Sequence, residues 1–385
     1  MRHIAIATGT RADWGLLSPI ACALAARDDC RVDVLATNMH LIPAYGNTIE
    51  EIRADGFDPV RVEMPASTDT PEGCVAAMGV CQTAMAREFA RLRPDLVVIL
   101  GDRFEMLATA TAALISGVPI VHIAGGEVSE GAVDDSIRHA ITKMSALHLC
   151  ATELYRSRII RMGEHPDRVI NTGAIGVYNT SHAPRMSRAE LEANLDFTLP
   201  EGSLLVTYHP ATLDREDPSV RFGALLEALD RFPDSKVLVT YPNNDSRGQV
   251  IIGMIEEYAR RNPGRVRVVP SLGRLRYISA LACVSAVVGN SSSGIVEVPS
   301  MGIPTVDIGI RQRGRLAGRS VIHTGDSADE IAVGIARALS PEGQRMAREA
   351  GNPYARPDTL RIMVDAIDGY PLDKLSRKTF YDPKD

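Results

Sequence analysis

The stretch VSAVVGNSSSGIVEVPSMGIPTVDI, residues 284–308, reads as a strand, a helix and a second strand. An apolar, β-branched run (284–288) opens it and another (304–308) closes it. Between them Gly-Asn-Ser-Ser-Ser-Gly stands where the first strand would give way to a helix. Strands separated by a helix argue for a parallel sheet. Serines at a helix N-terminus suit an anion, because free N–H groups and hydroxyls point at it. Glu297, about one turn further on, would repel that anion. It makes sense if it accepts hydrogen bonds from a vicinal diol, so phosphate donors followed by a ribose acceptor point to a nucleotide. The plainer alternative is that Ser291, Ser292 and Ser293 only cap the helix.

Working outward, the same alternation runs through most of the chain. Strands are expected at 3–8, 31–37, 96–100, 119–123 and 147–150, then at 204–208, 236–240, 266–269, 284–288 and 304–308. Helical patterns lie between them at 16–26, 102–115, 134–145, 220–231, 247–261 and 327–339. Two such sets imply an α/β protein with two Rossmann-like, doubly wound domains. Periodicity fails across 173–199, which puts the boundary near 175–182 and gives domains at 1–177 and 178–357.

Composition bounds the function. A chain of 385 residues exceeds one comfortable core, in keeping with two domains. Apolar content of 45% with 23% charged residues is that of a soluble globular protein, and a net charge of −6 argues against non-specific nucleic-acid binding. The six cysteines (22, 30, 74, 81, 150 and 283) form no CxxC pair, so reduced intracellular thiols are expected. MRHIAIATGT reads as a first strand rather than a leader. The uncharged run 106–126 is long enough for a membrane span, but Gly117-Val118-Pro119 breaks it where a helix would turn into a strand. A soluble, cytoplasmic protein with no membrane partner is the expectation.

Ligands of open parallel sheets bind beyond the carboxyl ends of the strands. Those exits carry Thr8-Gly9-Thr10-Arg11-Ala12-Asp13, Gly101-Asp102-Arg103-Phe104-Glu105, and Gly125-Gly126-Glu127 followed by Asp134-Asp135-Ser136-Ile137-Arg138-His139. In the second half they carry His209-Pro210, Pro242-Asn243-Asn244-Asp245, Gly289-Asn290-Ser291-Ser292-Ser293-Gly294 and Arg311-Gln312-Arg313. Missing motifs narrow the chemistry. Without GxxxxGK[ST], GxGxxG, HExxH or GxSxG, P-loop phosphoryl transfer, nicotinamide chemistry, zinc hydrolysis and acyl hydrolysis lose their signatures.

With TGTRAD, GDRFE, GGE before DDSIRHAITKMS, His-Pro at 209–210, YPNND, GNSSSGIVE and RQRGR in order, the sequence resembles the hydrolysing UDP-N-acetylglucosamine 2-epimerases of sialic-acid biosynthesis. The resemblance implies two Rossmann-like domains in the GT-B arrangement, with UDP in the cleft and residues 358–385 packing back on the first domain. It also implies loss of the C2 proton while UDP leaves C1, then addition of water to the glycal to give N-acetylmannosamine. No metal and no cofactor are implied, and a homo-oligomer is. Arg11, Arg103, His209, Ser291 and Ser292 would hold the diphosphate, Glu297 the ribose, and Arg311 the nucleotide. Asn244, Asp245 and Asn290 belong to matching substrate-binding motifs. Asp102, Glu127 and Asp135 are the candidate acids and bases, with His209 also grouped among catalytic residues and Arg138 and His139 beside the sugar.

Each role has a structural rival. Asp102 could cap the following helix, Asp135 could serve the helix dipole, His209 could be a satisfied core histidine, and Arg313 and Arg315 could be loop charges. Two departures from the family pattern bear on the base. Ala124 stands where relatives carry Glu or His in HIxGGE, and Ile310 where they often carry Asp or Thr. The nearest alternative substrate is UDP-N,N′-diacetylbacillosamine, on the way to legionaminic acid. A GT-B glycosyltransferase and a non-catalytic sugar-nucleotide sensor are the other classes.

Overall fold

A computed structural model describes residues 1–66, 70–130, 132–210, 217–242 and 248–382 of the chain. The chain divides into two compact units, the first comprising Met1–Glu127, Asp134–Tyr178 and Arg356–Asp385, the second Val128–Val133 and Asn179–Ala355.

The first unit begins with β1 (Arg2–Thr8), α1 (Arg11–Ala25), β2 (Cys30–Ala36), α2 (Ile49–Ala54), β3 (Val60–Arg61) and α3 (Pro71–Leu92). It continues through β4 (Leu96–Leu100), α4 (Phe104–Ile115), β5 (Ile120–Ile123), α5 (Asp134–Met144), β6 (Leu147–Cys150), α6 (Glu153–Arg161) and β7 (Val169–Asn171). Helix α7 (Ile175–His182) carries the chain into the second unit. There follow α8 (Arg188–Leu195), β8 (Leu204–Thr207), α9 (Pro218–Asp230), β9 (Val237–Thr240), α10 (Gly248–Arg261), β10 (Val266–Val269) and α11 (Gly273–Leu281). The unit ends with β11 (Ala286–Gly289), α12 (Ser292–Val296), β12 (Thr305–Ile308), β13 (Val321–Thr324), α13 (Ala328–Leu339) and α14 (Pro341–Glu349). Helices α15 (Thr359–Gly369) and α16 (Leu372–Leu375) rejoin the first unit.

Both sheets are wholly parallel, ordered β3-β2-β1-β4-β5-β6-β7 and β10-β9-β8-β11-β12-β13. The order reverses between β1 and β4 in one and between β8 and β11 in the other, the signature of the doubly wound Rossmann-like fold. Alternation along each strand explains the two-faced burial. Ile4, Ile6, Leu96 and Val98 pack toward α1 and α15, with Leu17, Leu24, Met363 and Ile367. Ala5, Ala7, Val97 and Ile99 pack toward α3 and α4, with Met85, Phe89 and Met106. In the second unit Leu204, Val206 and Val288 meet Phe222, Ile255 and Ile335, while Leu205 and Val287 meet Leu191 and Leu281.

Several elements escaped the sequence reading. Strands β3, β7 and β13 are two to four residues long, too short to show alternation. Helix α8 lies inside the segment read as aperiodic; only Leu191 and Leu195 are buried, although a capping box from Ser187 to Glu190 fixes its start. Residues 128–133, read as part of the first domain, belong to the second unit. Arg315 donates there to the Val128 carbonyl at 3.3 Å, and Gly314 packs so closely on Val128 that a Cβ would lie 2.9 Å from its Cγ1. Among the described residues no helix is long and apolar enough to cross a membrane, and no disulfide is present.

Candidate active site

The reversal of strand order in the first unit sets the β1 and β4 exits side by side. Gly9 follows β1, and its missing side chain is filled from the other exit: a Cβ there would lie 2.4 Å from Glu105 Oε1. Glu105 is fully buried and accepts from Arg103 Nε at 2.6 Å. This fixes the guanidinium expected to meet the diphosphate. Asp13 completes a capping box with Thr10 at the start of α1. Burial first, and then the neighbouring Glu105 carboxylate, raise the Asp13 carboxyl to about 6 against the pull of Arg103. Arg11, one residue into α1, pairs with Glu51 at 2.7 Å.

Asp102 does not cap α4, whose N-cap is Arg103. Its carboxylate is instead gripped by Arg138, a guanidinium almost wholly buried on α5. Arg138 also reaches Asp135 at 3.5 Å, and His139 lies 3.7 Å from the other Asp135 oxygen. Two candidate carboxylates therefore share one buried cation, because Asp135, Arg138 and His139 recur at helical spacing on a single face. Burial lowers the His139 pKa, leaving a neutral imidazole near pH 7 that can accept a proton. Glu127, in the turn after β5, is a buried carboxylate. Ala124 adopts φ +64 and Gly126 φ +78 in that turn, and a Cβ on Gly126 would strike the Tyr155 carbonyl at 2.7 Å.

His122 is a buried tie between site elements that the sequence reading missed. It donates from Nε2 to the Gly101 carbonyl at 2.7 Å, so its Nδ1 is the acceptor for the Thr142 hydroxyl at 3.2 Å. Burial lowers its pKa to about 3, which keeps this tautomer uncharged. The residue thus ties the peptide before Asp102 to the last turn of α5. Glu105 was missed likewise, although both it and His122 lie within quoted motifs. An acid or histidine inside a strand-exit motif signals such a tie only when its partner is known.

In the second unit the β8 and β11 exits adjoin. Gly289 allows this, since a Cβ would overlap the Thr207 carbonyl at 1.9 Å. Asn290 bridges the exits, accepting from His209 N at 2.7 Å and donating to the His209 carbonyl at 2.8 Å. Its own carbonyl accepts from Arg311 at 3.0 Å and from Gln312 at 2.8 Å. Ser291 is the N-cap residue of α12 but makes no side-chain cap bond. Helix α12 has only five residues, which leaves a small dipole. Ser292 begins that helix, and Ser293 is engaged by the Tyr277 hydroxyl. Glu297 closes the helix half-buried; burial and then its charge raise the Tyr277 pKa. Asn244 and Asp245 lie outside the described residues.

Asp29, Cys30 and Asp368 are the three described residues whose ligand atoms come within 4.8 Å of one another. They suit a metal poorly. Arg27 already pairs with Asp29 at 3.7 Å and Asp368 at 2.8 Å, and burial, with the Asp368 hydrogen bond, raises the Cys30 thiol to about 11. They also sit at the start of β2, whereas the candidate site lies at the strand exits.

Comparison with known proteins bears on the family and the fold. The family model described as UDP-N-acetylglucosamine 2-epimerase matches residues 22–368. The chain is 35% identical over 321 residues to a Campylobacter jejuni protein named GDP/UDP-N,N′-diacetylbacillosamine 2-epimerase (hydrolyzing), covering 83% of this chain and 84% of that one. It is 33% identical over 392 residues to the Escherichia coli polysialic acid biosynthesis protein P7, covering 99% and 98%. A Staphylococcus aureus structure described as MnaA with UDP superimposes with a TM-score of 0.76 over 100% of both chains at 16% identity, a likeness of fold. The chain is an enzyme of the UDP-N-acetylglucosamine 2-epimerase family and belongs with its hydrolysing members.

Proposed function

We propose that this enzyme converts UDP-N-acetylglucosamine and water to N-acetylmannosamine and UDP, for nonulosonic (sialic) acid biosynthesis. The observation that carries the reading is the set Asp102, Arg138, Asp135 and His139, where carboxylates, a buried cation and a neutral imidazole adjoin. In the first step a base takes the C2 proton, the C2–H electrons become the C1=C2 bond, and the C1–O bond breaks toward UDP. Asp102, Glu127 or Asp135 serves as the base. The second step adds a water hydroxyl at C1 and a proton at C2 from the opposite face, and His139 is well suited to shuttle protons. Within the first unit Arg11 and Arg103, and within the second His209, Ser291 and Ser292, are the groups assigned to diphosphate, each suited to meet its negative charge as it develops. Glu297 takes the ribose hydroxyls, and Arg311 and Asn290 complete the nucleotide site. The enzyme would work in the cytoplasm as a homo-oligomer without a metal or redox cofactor.

A second reading is favoured by the relative from Campylobacter: the same chemistry on UDP-N,N′-diacetylbacillosamine, toward legionaminic acid. Proton NMR in D₂O decides between them. Deuterium at C2 of free N-acetylmannosamine, with UDP, is the expected result. Turnover of the diacetylbacillosamine nucleotide alone would replace the substrate, and no release of UDP from either would refute the reaction.

A further inference from the structure

The last turn of α5 receives a residue from the far end of the chain. Lys378 donates to the Lys143 carbonyl at 2.6 Å, to the Ser145 carbonyl at 2.7 Å and to Glu164 Oε2 at 2.8 Å. Those three bonds use every proton of the ammonium group, and two of them satisfy carbonyls left open at the end of the helix. A cation there is also favoured by the helix dipole. Glu164, nearly inaccessible, takes its other bonds from Lys143 at 2.6 Å and His148 at 3.0 Å. The tail is held in register around Lys378. Phe380 covers Gly163, where a Cβ would lie 2.3 Å from its ring, and Tyr381 N donates to the Gly163 carbonyl at 3.0 Å. Lys143 Nζ stands 4.8 Å from the centre of the Phe380 ring.

The same helix turn is tied on its other side. Thr142 binds His122, His122 binds the Gly101 carbonyl, and the next residue, Asp102, is gripped by Arg138 about one turn earlier on α5. These contacts make a closed circuit of which Lys378 holds one end. We propose that Lys378 is a positioning residue for the reaction: with Glu164 it fixes the carboxyl end of α5, and through that helix the seat of Asp135, Arg138 and His139. The inference rests on the reading that those side chains serve the sugar. Lys378 itself touches backbone and Glu164 only, so its contribution is geometric. A displacement of about 1 Å at reacting groups can cost ~100-fold in rate.

The test uses the full chain with Lys378→Met, Lys378→Arg and, as a control, the exposed tail residue Lys374→Met. The expected result is a fall in kcat of about 10- to 100-fold for Lys378→Met, with KM and inhibition by UDP changed less than about threefold. Lys378→Arg should recover part of the loss, and Lys374→Met should match the parent. Hydrogen exchange supplies the second readout: amides of 134–139 should exchange faster in Lys378→Met while those of α4 do not. Parent-like kcat per folded molecule, with only a lower melting temperature, would overturn the proposal. If the parent chain turns over neither sugar nucleotide, the assigned reaction fails instead, and exchange across 134–139 alone decides whether Lys378 seats the helix. Unchanged exchange there would overturn it.

Discussion

Replacing Gly9 with alanine should damage the protein through one side chain. The Gly9 backbone suits any residue, so the penalty is steric. The added methyl would lie 2.4 Å from Glu105 Oε1, 2.7 Å from its Cγ and 2.9 Å from its Cδ, where ordinary contact begins at 3.4 Å. The carboxylate must therefore retreat by 3.4 − 2.4 = 1.0 Å. Glu105 is fully buried, and its 2.6 Å bond to Arg103 would be strained by that shift, lengthening by up to about 1 Å. Overpacking costs about 1–3 kcal/mol and a lost charge-assisted hydrogen bond about 1.5–3 kcal/mol, together ~2.5–6 kcal/mol. A double-mutant cycle in urea isolates the cause. In a Glu105→Ala background the methyl meets no carboxylate, and Gly9→Ala should cost less than about 0.5 kcal/mol. UDP affinity should fall in Gly9→Ala as the Arg103 guanidinium turns. An equal cost of Gly9→Ala in both backgrounds would show that Glu105 is not what the methyl meets.

Asp102→Asn and Asp135→Asn should each lower kcat by about 100-fold or more with little change in KM, because proton transfer by a placed group contributes at least that much; parent-like kcat in both would place the base elsewhere. Glu297→Gln should weaken UDP binding by about 1.5–3 kcal/mol while the melting temperature holds, and calorimetry showing unchanged affinity would remove the ribose contact. Acid should destabilise the first unit through His40, buried between Thr8 and Thr48, whose pKa burial lowers to about 4 from an unfolded value near 6.5. Below pH 6.5 the unfolded chain binds that proton first, so His40 stability is complete above 6.5 and is lost as pH falls toward 4. Asp13, raised to about 6, acts oppositely, its contribution being present at low pH and lost as pH rises through 6. Urea unfolding from pH 6.5 to 5 should therefore lose about 1 kcal/mol per unit less in His40→Asn than in the parent, and identical slopes would contradict a neutral His40.

Much of the architecture was legible because it depends on short-range pattern. β-Branched runs such as Leu96–Leu100 announce buried strands, and the residues after each run are the strand exits whatever else the chain does. A parallel sheet directs those exits to one edge, so Asp102, Glu127, Asp135, Asn290 and Glu297 could be singled out from sequence position. What escaped was short or relational. Strand β3 has two residues and takes its place from pairing with β2, and residues 128–133 go to the second unit through Arg315 and Gly314, nearly two hundred positions away. The site divides in the same way. Sequence alone determined which residue types stand at the strand exits. Only the tertiary structure decided that Asp102 pairs with Arg138 instead of capping a helix, that Glu105 fills the space left by Gly9, that His122 holds Gly101, and that Lys378 closes α5. The physical reason is that a carboxylate or ammonium buried away from water must find a partner. Which partner it finds is set by strand order and helix packing, which local pattern does not encode.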